Sequence, residues 1–502
     1  MVDALPAGDL KTYYRTTLLR HPIDGPKFSL LGTNQVFFAD LLNDANPKPA
    51  SEGQKRMKAA YDWIQYRVRE IPSTGSGKTV ADRLKSIGKL EVLEFIAPNE
   101  GKAIRMFQSV NDRGVPLSRM DIAKSLLIYY SNRFLGGRLD QYIAEKFGSA
   151  FCDFGKLKGL AAENGYKISH IDRETFREDD VFRYHYFAFK AADPAIEILL
   201  AFNATSDTVL DDFLKPTLKK LRNDQAKLAT FIEHYIDDLA GFFCAFRLLL
   251  EATRKDKALY LLFVTGDLAA TLDPLTIRLA MRDALRHQPS SAGGRSLLQL
   301  LEITDLRVFK IRGNNPKADI FSLTRDSGEK TLEEIAEGLR RFVVKFMDNG
   351  LFESRLSQDD LYRNPWLPRI LLAKEEVERK KAFALAELVE QAEEGRTIEH
   401  ILPQEPSFGV QKYGFSSRNA YADDIHRLGN LTLLESPLNG KCSNRSVEDK
   451  ISEDGLYKKS RYHITKSLAA RYADRTSTFT RSEIEERGAE LAKFCVARWP
   501  LW

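Results

Sequence analysis

The sequence predicts a mainly α, multi-domain protein, with helical N-terminal and middle regions followed by a C-terminal α+β module. Three observations carry this reading. Apolar residues recur at the 3.6-residue period over long stretches, as at Leu332, Ile335, Ala336, Leu339, Phe342, Val343 and Phe346. Period-2 alternation is scarce. The chain has 502 residues, too many for one compact domain, and its apolar fraction of 43% is ample for buried cores.

The elements follow in order. Ser118 and Asp121 form a capping pattern ahead of IAKSLLIYYSNRF, which predicts a helix start. Leu218–Leu250 and Glu375–Glu390 read as amphipathic helices. Thr331 with Glu334 caps the Leu332–Phe346 helix, and Asn349-Gly350 is expected to stop it. Loops rich in Gly, Pro, Ser or Asn fall near Pro72–Gly77, Gln288–Gly294 and Arg312–Pro316. The expected divisions are residues 1–134, 135–358 and 359–502.

Composition narrows the function classes. Mean hydropathy is −0.34 and no 18-residue apolar run occurs, so no membrane span is expected. The start lacks a basic segment followed by an apolar one, so no signal peptide is expected. The four cysteines, Cys152, Cys244, Cys442 and Cys495, form no CxxC pair, which argues against a zinc ribbon and for a reduced, cytoplasmic protein. A net charge of +5 permits a polyanionic partner without demanding one.

Chemistry concentrates in Thr397–Lys450. Glu399-His400 ends a short apolar run that Pro403 closes, and it reads as a strand holding His400 against a cleft. Leu431–Leu434 reads as a second strand. Ser436 then caps a helix opened by Pro437, which places Asn439 in the first turn. Asn430 and Asn439 stand nine positions apart. An acid beside a histidine, with two asparagines, supplies the parts of a single-metal phosphodiesterase site. A hard cation takes oxygen ligands, and histidine is the natural base near neutral pH.

The combination EHILPQ, GNLTLL, LN and SNxxxxxK resembles the HNH module of the GmrSD restriction endonucleases, C-terminal domain. The acidic-His-hydrophobic-x-Pro strand and the Asn–Asn spacing also resemble HNH domains of RNA-guided CRISPR effectors. The resemblance implies a ββα-metal fold with His400 as the general base and Glu399 and Asn439 as ligands of Mg²⁺ or Mn²⁺. It implies that Asn430 orients His400 or braces the loop. Lys450 and Asn444 match the family's trailing pattern and are expected to hold a phosphate or support the helix, with Lys441 a further weak candidate for phosphate contact. Glu399 stands where many HNH proteins have aspartate. The implied partner is double-stranded DNA carrying a modification such as glucosylated cytosine, cleaved in phage defence.

A second resemblance covers FQSVNDRGVPLSRMDIAKSLL, which is similar to the closing motif of the GmrSD N-terminal domain. Phe107, Asn111, Arg113, Gly114, Leu117, Asp121 and Lys124 carry it. Asn-Asp-Arg-Gly is a turn and Asp121 a capping acid before they are ligand contacts. That domain begins with a ParB-like fold whose Asp-Gly-Gln-Gln-Arg motif hydrolyses nucleotides, and no such motif occurs here. Glu52-Gly53-Gln54-Lys55-Arg56 is the nearest string and lies in a segment that reads as helix. The expectation is a chain that begins in mid-domain, being a fragment, or having its ParB-like half on a separate polypeptide, or having a misassigned start.

Two other readings stay open. One is a non-catalytic DNA-binding or scaffold subunit that works with such a separate NTPase half. The other is a P-loop NTPase, because Ser73–Thr79 reads STGSGKT. The charged, amphipathic YDWIQYRVRE ahead of it is not the buried strand that a P-loop follows. The residues leave NTP binding, oligomeric state and the role of 135–358 open. Arg461, Arg471 and Arg475 with Lys458, Lys459 and Lys466, beside Tyr457 and Tyr462, suggest a phosphate-tracking face. Ser482–Trp502 reads as a closing helix with Ile484, Leu491, Phe494, Cys495 and Val496 inward.

Overall fold

Capped amphipathic helices dominate the chain, as their periodicity requires. The computed structural model describes residues 1–2, 5, 7–21, 25–26, 30, 34–43, 45–49, 52–71, 79–91, 117–196, 198, 201–358, 361–363, 366–379, 384–452, 455–472 and 479–502. The helices used below are α1 (Asn34–Leu42), α2 (Glu52–Arg69), α3 (Val80–Gly88), α4 (Arg119–Leu135), α5 (Asp140–Ala162), α6 (Gln225–Ala252), α7 (Leu297–Thr304), α8 (Leu332–Phe346), α9 (Asn349–Gln358), α10 (Trp366–Arg379) and α11 (Leu385–Glu393). The C-terminal part adds strand β1 (Arg396–His400), strand β2 (Leu431–Glu435), α12 (Ser436–Cys442), α13 (Val447–Ile451), α14 (His463–Tyr472) and α15 (Arg481–Arg498). Among the described residues the only other strand pairing joins Arg20–His21 to Gly25–Pro26.

Local rules account for several boundaries. Thr331 accepts from the Glu334 amide while the Glu334 carboxylate accepts from Thr331, so the α8 cap is reciprocal. Ser118 caps α4 in the same register, and the Asp179 carboxylate takes the amides of Arg119 and Met120 at 2.9 Å each. Asn349-Gly350 does not simply end α8. The helix stops at Phe346, and Asn349 opens α9, whose first turn is held by Leu351 N donating to Asp348 Oδ1. The predicted Leu218–Leu250 helix is broken at 222–224, because Asp224 caps a fresh start at Gln225.

The largest apolar core runs from Met120 to Trp499 and joins helices on both sides of residue 358. Polar pins reinforce the join. The fully buried Arg307 donates to the carbonyls of Trp499 (2.8 Å) and Met347 (3.1 Å) and to Asn349 Oδ1 (2.7 Å). Glu302 on α7 pairs with Lys374 on α10 (2.7 Å) and Arg498 on α15 (3.1 Å). Burial alone would raise the Glu302 carboxyl, yet those two cations hold it at about 2. A second core, with Ile401, Leu402, Tyr413, Leu434, Cys442, Val447 and Tyr457, lies under the β1–β2 hairpin. Among the described residues no helix is long and apolar enough to cross a membrane.

Candidate functional site

The site is built on the β1–β2 hairpin. Gly395 turns the chain out of α11 at φ +80, a left-handed conformation that glycine adopts without strain. Thr397 and Ile398 are β-branched and suit the strand that follows. The pairing is antiparallel, with Ile398 opposite Leu433, Glu399 opposite Thr432 and His400 opposite Leu431. Alternation sends Thr397 and Glu399 to one face and Ile398 and His400 to the other.

Beyond His400 the chain is held by Asn430. Ile401 N donates to Asn430 O (2.9 Å), and Leu402 N donates to the Asn430 side-chain oxygen (2.9 Å). The Asn430 side-chain nitrogen donates to Leu402 O (3.1 Å) and Ile425 O (2.8 Å). Every hydrogen bond of this wholly buried carboxamide goes to backbone. Asn430 is therefore the loop brace, and it does not orient the His400 ring. Its turn is clamped from the other side by Arg487 of α15, whose buried guanidinium donates to Gly429 O (2.7 Å) and Leu431 O (2.6 Å). Gly429 is needed for this approach: a Cβ there would stand 1.9 Å from Ile484 O.

The His400 ring is 5% exposed and makes two hydrogen bonds. Nε2 lies 3.0 Å from His426 Nδ1, and Nδ1 lies 3.1 Å from the Gln404 side-chain nitrogen. Tyr362 stacks on His426, with planes 3° apart and centroids at 5.0 Å, and meets His400 edge-on at 4.7 Å. Burial, then His426, then Lys450 lower His400 to about 3. The ring is thus neutral across the physiological range, and the same shift makes it a weak proton acceptor while it stays buried. Gln404 closes the EHILPQ run, and His426 lies three residues ahead of GNLTLL. Residue types alone gave no signal that either would meet His400, 4 and 26 positions away, and Tyr362 lay in a stretch without a motif.

Glu399 points to the opposite face. It is 4% exposed, and its Oε1 accepts from the Tyr457 hydroxyl (3.0 Å) and lies 2.7 Å from Lys450 Nζ. Burial raises the Glu399 carboxyl, and Lys450 and Tyr457 work against that rise. Lys450 is wholly buried and also donates to His400 O (2.8 Å). Of its two expected roles the structure agrees with support and not with phosphate contact: a 0% exposed ammonium engaged on a strand end is out of reach of a phosphate. Asn439 is half-buried on α12 and donates to Thr397 Oγ1 (2.7 Å) and Ile398 O (3.0 Å), on the Glu399 side. Lys441 and Asn444 are exposed.

These residues do not fit a divalent cation as they stand. The carboxylate expected to bind it is already paired with a buried ammonium, and among the described residues no three His, Cys, Asp or Glu side chains converge. The expected basic face is also reduced. Arg461 pairs with Glu390 and Glu394, Arg471 pairs with Glu486 and Glu490, and Tyr457 and Tyr462 are buried. Lys458, Lys459 and Lys466 stay exposed, and Arg475 lies outside the described residues.

Residues 350–494 match the family described as GmrSD restriction endonucleases, C-terminal domain. The chain carries a C-terminal domain of the GmrSD restriction endonuclease family. No curated relative matches the chain significantly. The match takes in the hairpin, the Asn430 brace, the Lys450–Glu399 pair and α15 to within its last turn. DNA is the substrate that a restriction endonuclease domain implies.

Ahead of the GmrSD C-terminal domain, Asn111, Arg113 and Gly114 lie outside the described residues, as does Ser73–Lys78 of the P-loop-like string. Thr79 caps α3 with Asp82, and α2 precedes the string as a helix through Arg69. Glu52–Arg56 forms the start of α2, as expected of a helical coincidence. Asp121 accepts from the Ser118 hydroxyl (2.9 Å). Burial lowers the Lys124 ammonium, and both residues line a cavity of about 610 Å³ with Gln54, Arg56 and Glu178.

Proposed function

We propose that the chain is an HNH-type endonuclease that hydrolyses phosphodiester bonds in double-stranded DNA, acting at the exit of β1. The observation that carries this is the neutral His400 ring, fixed at a strand end by a loop that Asn430 braces, inside the matched domain. A water molecule attacks the phosphorus and gives its proton to His400; the bond to the sugar oxygen breaks, and that oxygen leaves with the electron pair and takes a proton from solvent. General base catalysis of this kind contributes on the order of 10²–10⁴ in rate. Preference for modified cytosine belongs to this proposal through the family resemblance; a divalent cation would first need Glu399 released from Lys450.

The test is cleavage of modified and unmodified duplex DNA by the purified chain, with and without Mg²⁺ and NTP. His400→Ala should abolish cleavage and leave the fold intact, and equal activity in that variant removes the assignment.

One observation favours a second reading. His400 is 5% exposed beneath Gln404, His426 and Tyr362, and Glu399 is tied to Lys450. This suits a subunit whose nuclease site is closed until another chain, such as an NTPase half, opens it. Absence of nicking by the isolated chain under every condition supports that alternative.

A further inference from the structure

We propose that His426 is the positioning residue for His400, and that Nδ1 of His400 is the atom that takes the proton from water. The inference rests on the reading of His400 as the base. A carboxamide nitrogen only donates, so the Gln404 contact at 3.1 Å makes His400 Nδ1 an acceptor. A neutral imidazole has one N–H, so Nε2 carries it and donates to His426 Nδ1 at 3.0 Å. His426 Nδ1 therefore accepts, and the proton of that second ring sits on Nε2.

The arrangement fixes both rings. The Tyr362 plane lies along His426 and its edge meets His400, so neither imidazole turns without breaking an aromatic contact. The backbone sets the spacing between them. The Asn430 carboxamide holds Leu402, two residues past His400, and Ile425, one residue before His426. One buried side chain thus ties together the two segments that carry the histidines. At the other end of His400, Gln404 is exposed and occupies Nδ1 with a single hydrogen bond. Water entering from solvent replaces that amide without disturbing the Nε2 contact. Orientation through the nitrogen remote from the reacting one is how a paired base keeps its lone pair aimed.

The test uses the full chain with ¹⁵N-labelled histidine. In the wild type His400 should show the tautomer protonated at Nε2, with scalar coupling across the hydrogen bond to His426 Nδ1. Lack of that coupling, or an Nδ1-protonated His400, overturns the proposal without any variant. His426→Phe should lower kcat at least tenfold while KM for DNA stays within twofold. His426→Asn, whose amide oxygen can accept from Nε2, should recover most of that loss. A His426→Phe enzyme with kcat within twofold of wild type sinks the proposal. Should His400→Ala retain activity, the assignment of the base fails instead. If the wild type cleaves nothing, the spectra alone decide the orientation.

Discussion

Lys450 Nζ lies 2.7 Å from Glu399 Oε1 and 2.8 Å from His400 O, so one buried cation spans the two residues at the centre of the sequence motif. The lysine lies fifty positions after the histidine whose carbonyl it holds. It fixes the end of β1 and neutralises the carboxylate that a cation would otherwise take.

Removing Lys450 should therefore cost stability before it costs chemistry. Lys450→Met leaves a buried carboxylate unpaired, and breaking such a pair typically costs about 3–5 kcal/mol. The double variant Lys450→Met/Glu399→Gln should be less destabilised than Lys450→Met alone. Urea midpoints read this directly, and additive effects of the two substitutions would falsify the pairing.

Gly429→Ala should destabilise the domain by at least about 1–3 kcal/mol, the usual cost of overpacking. The clash is with the Ile484 carbonyl, so α15 must shift away from the turn. A thermal midpoint equal to wild type would show that α15 does not approach Gly429 this closely.

Asn430→Ala and His400→Ala should separate in a way that tests brace against base. The first strips partners from buried backbone at Leu402 and Ile425, at about 1–3 kcal/mol for each unsatisfied group. It should lose both stability and cleavage. The second should lose cleavage while its urea midpoint falls by less, since it leaves a cavity at a buried ring but strips no backbone partner.

His400 predicts a direction of pH response. It titrates at about 3 when folded, against about 6.5 in an unfolded chain. Between these values the unfolded chain holds a proton that the folded chain lacks. Stability is therefore free of this penalty above about pH 6.5 and falls as pH drops through the window. Wild type should lose stability relative to His400→Gln on going from pH 7.5 to 4.5. Parallel losses in the two proteins would place the ring in contact with solvent.

Chelation should act on cleavage and not on the fold. With Lys450 already neutralising Glu399, EDTA should leave the thermal midpoint within about 1 °C while stopping any metal-dependent nicking, because a fold that needs its metal unfolds without it. A large fall in the midpoint would mean that a bound cation holds this domain together.

Much of the framework was legible in the sequence because the rules involved are local. The Thr331–Glu334 and Ser118–Asp121 caps need partners three residues apart, and both helices begin where those pairs place them. The two strands at Arg396–His400 and Leu431–Glu435 follow from short apolar runs bounded by Gly395, Pro403 and Pro437. The stop expected at Asn349-Gly350 became the start of α9, since the same residues can close one helix and open the next.

The sequence by itself determined the helical class, the hairpin, and which residues stand at its chemical end. Only the tertiary structure decided what those residues touch. Strand alternation separated Glu399 from His400. Packing then supplied Lys450 and Tyr457 to the first and His426, Gln404 and Tyr362 to the second. Asn430 was an expected member of the site, but its three side-chain hydrogen bonds went to backbone once the loop closed around it. Caps and strands are set by neighbours a few residues away. The identity of a buried side chain's partner depends on which distant segments share its core.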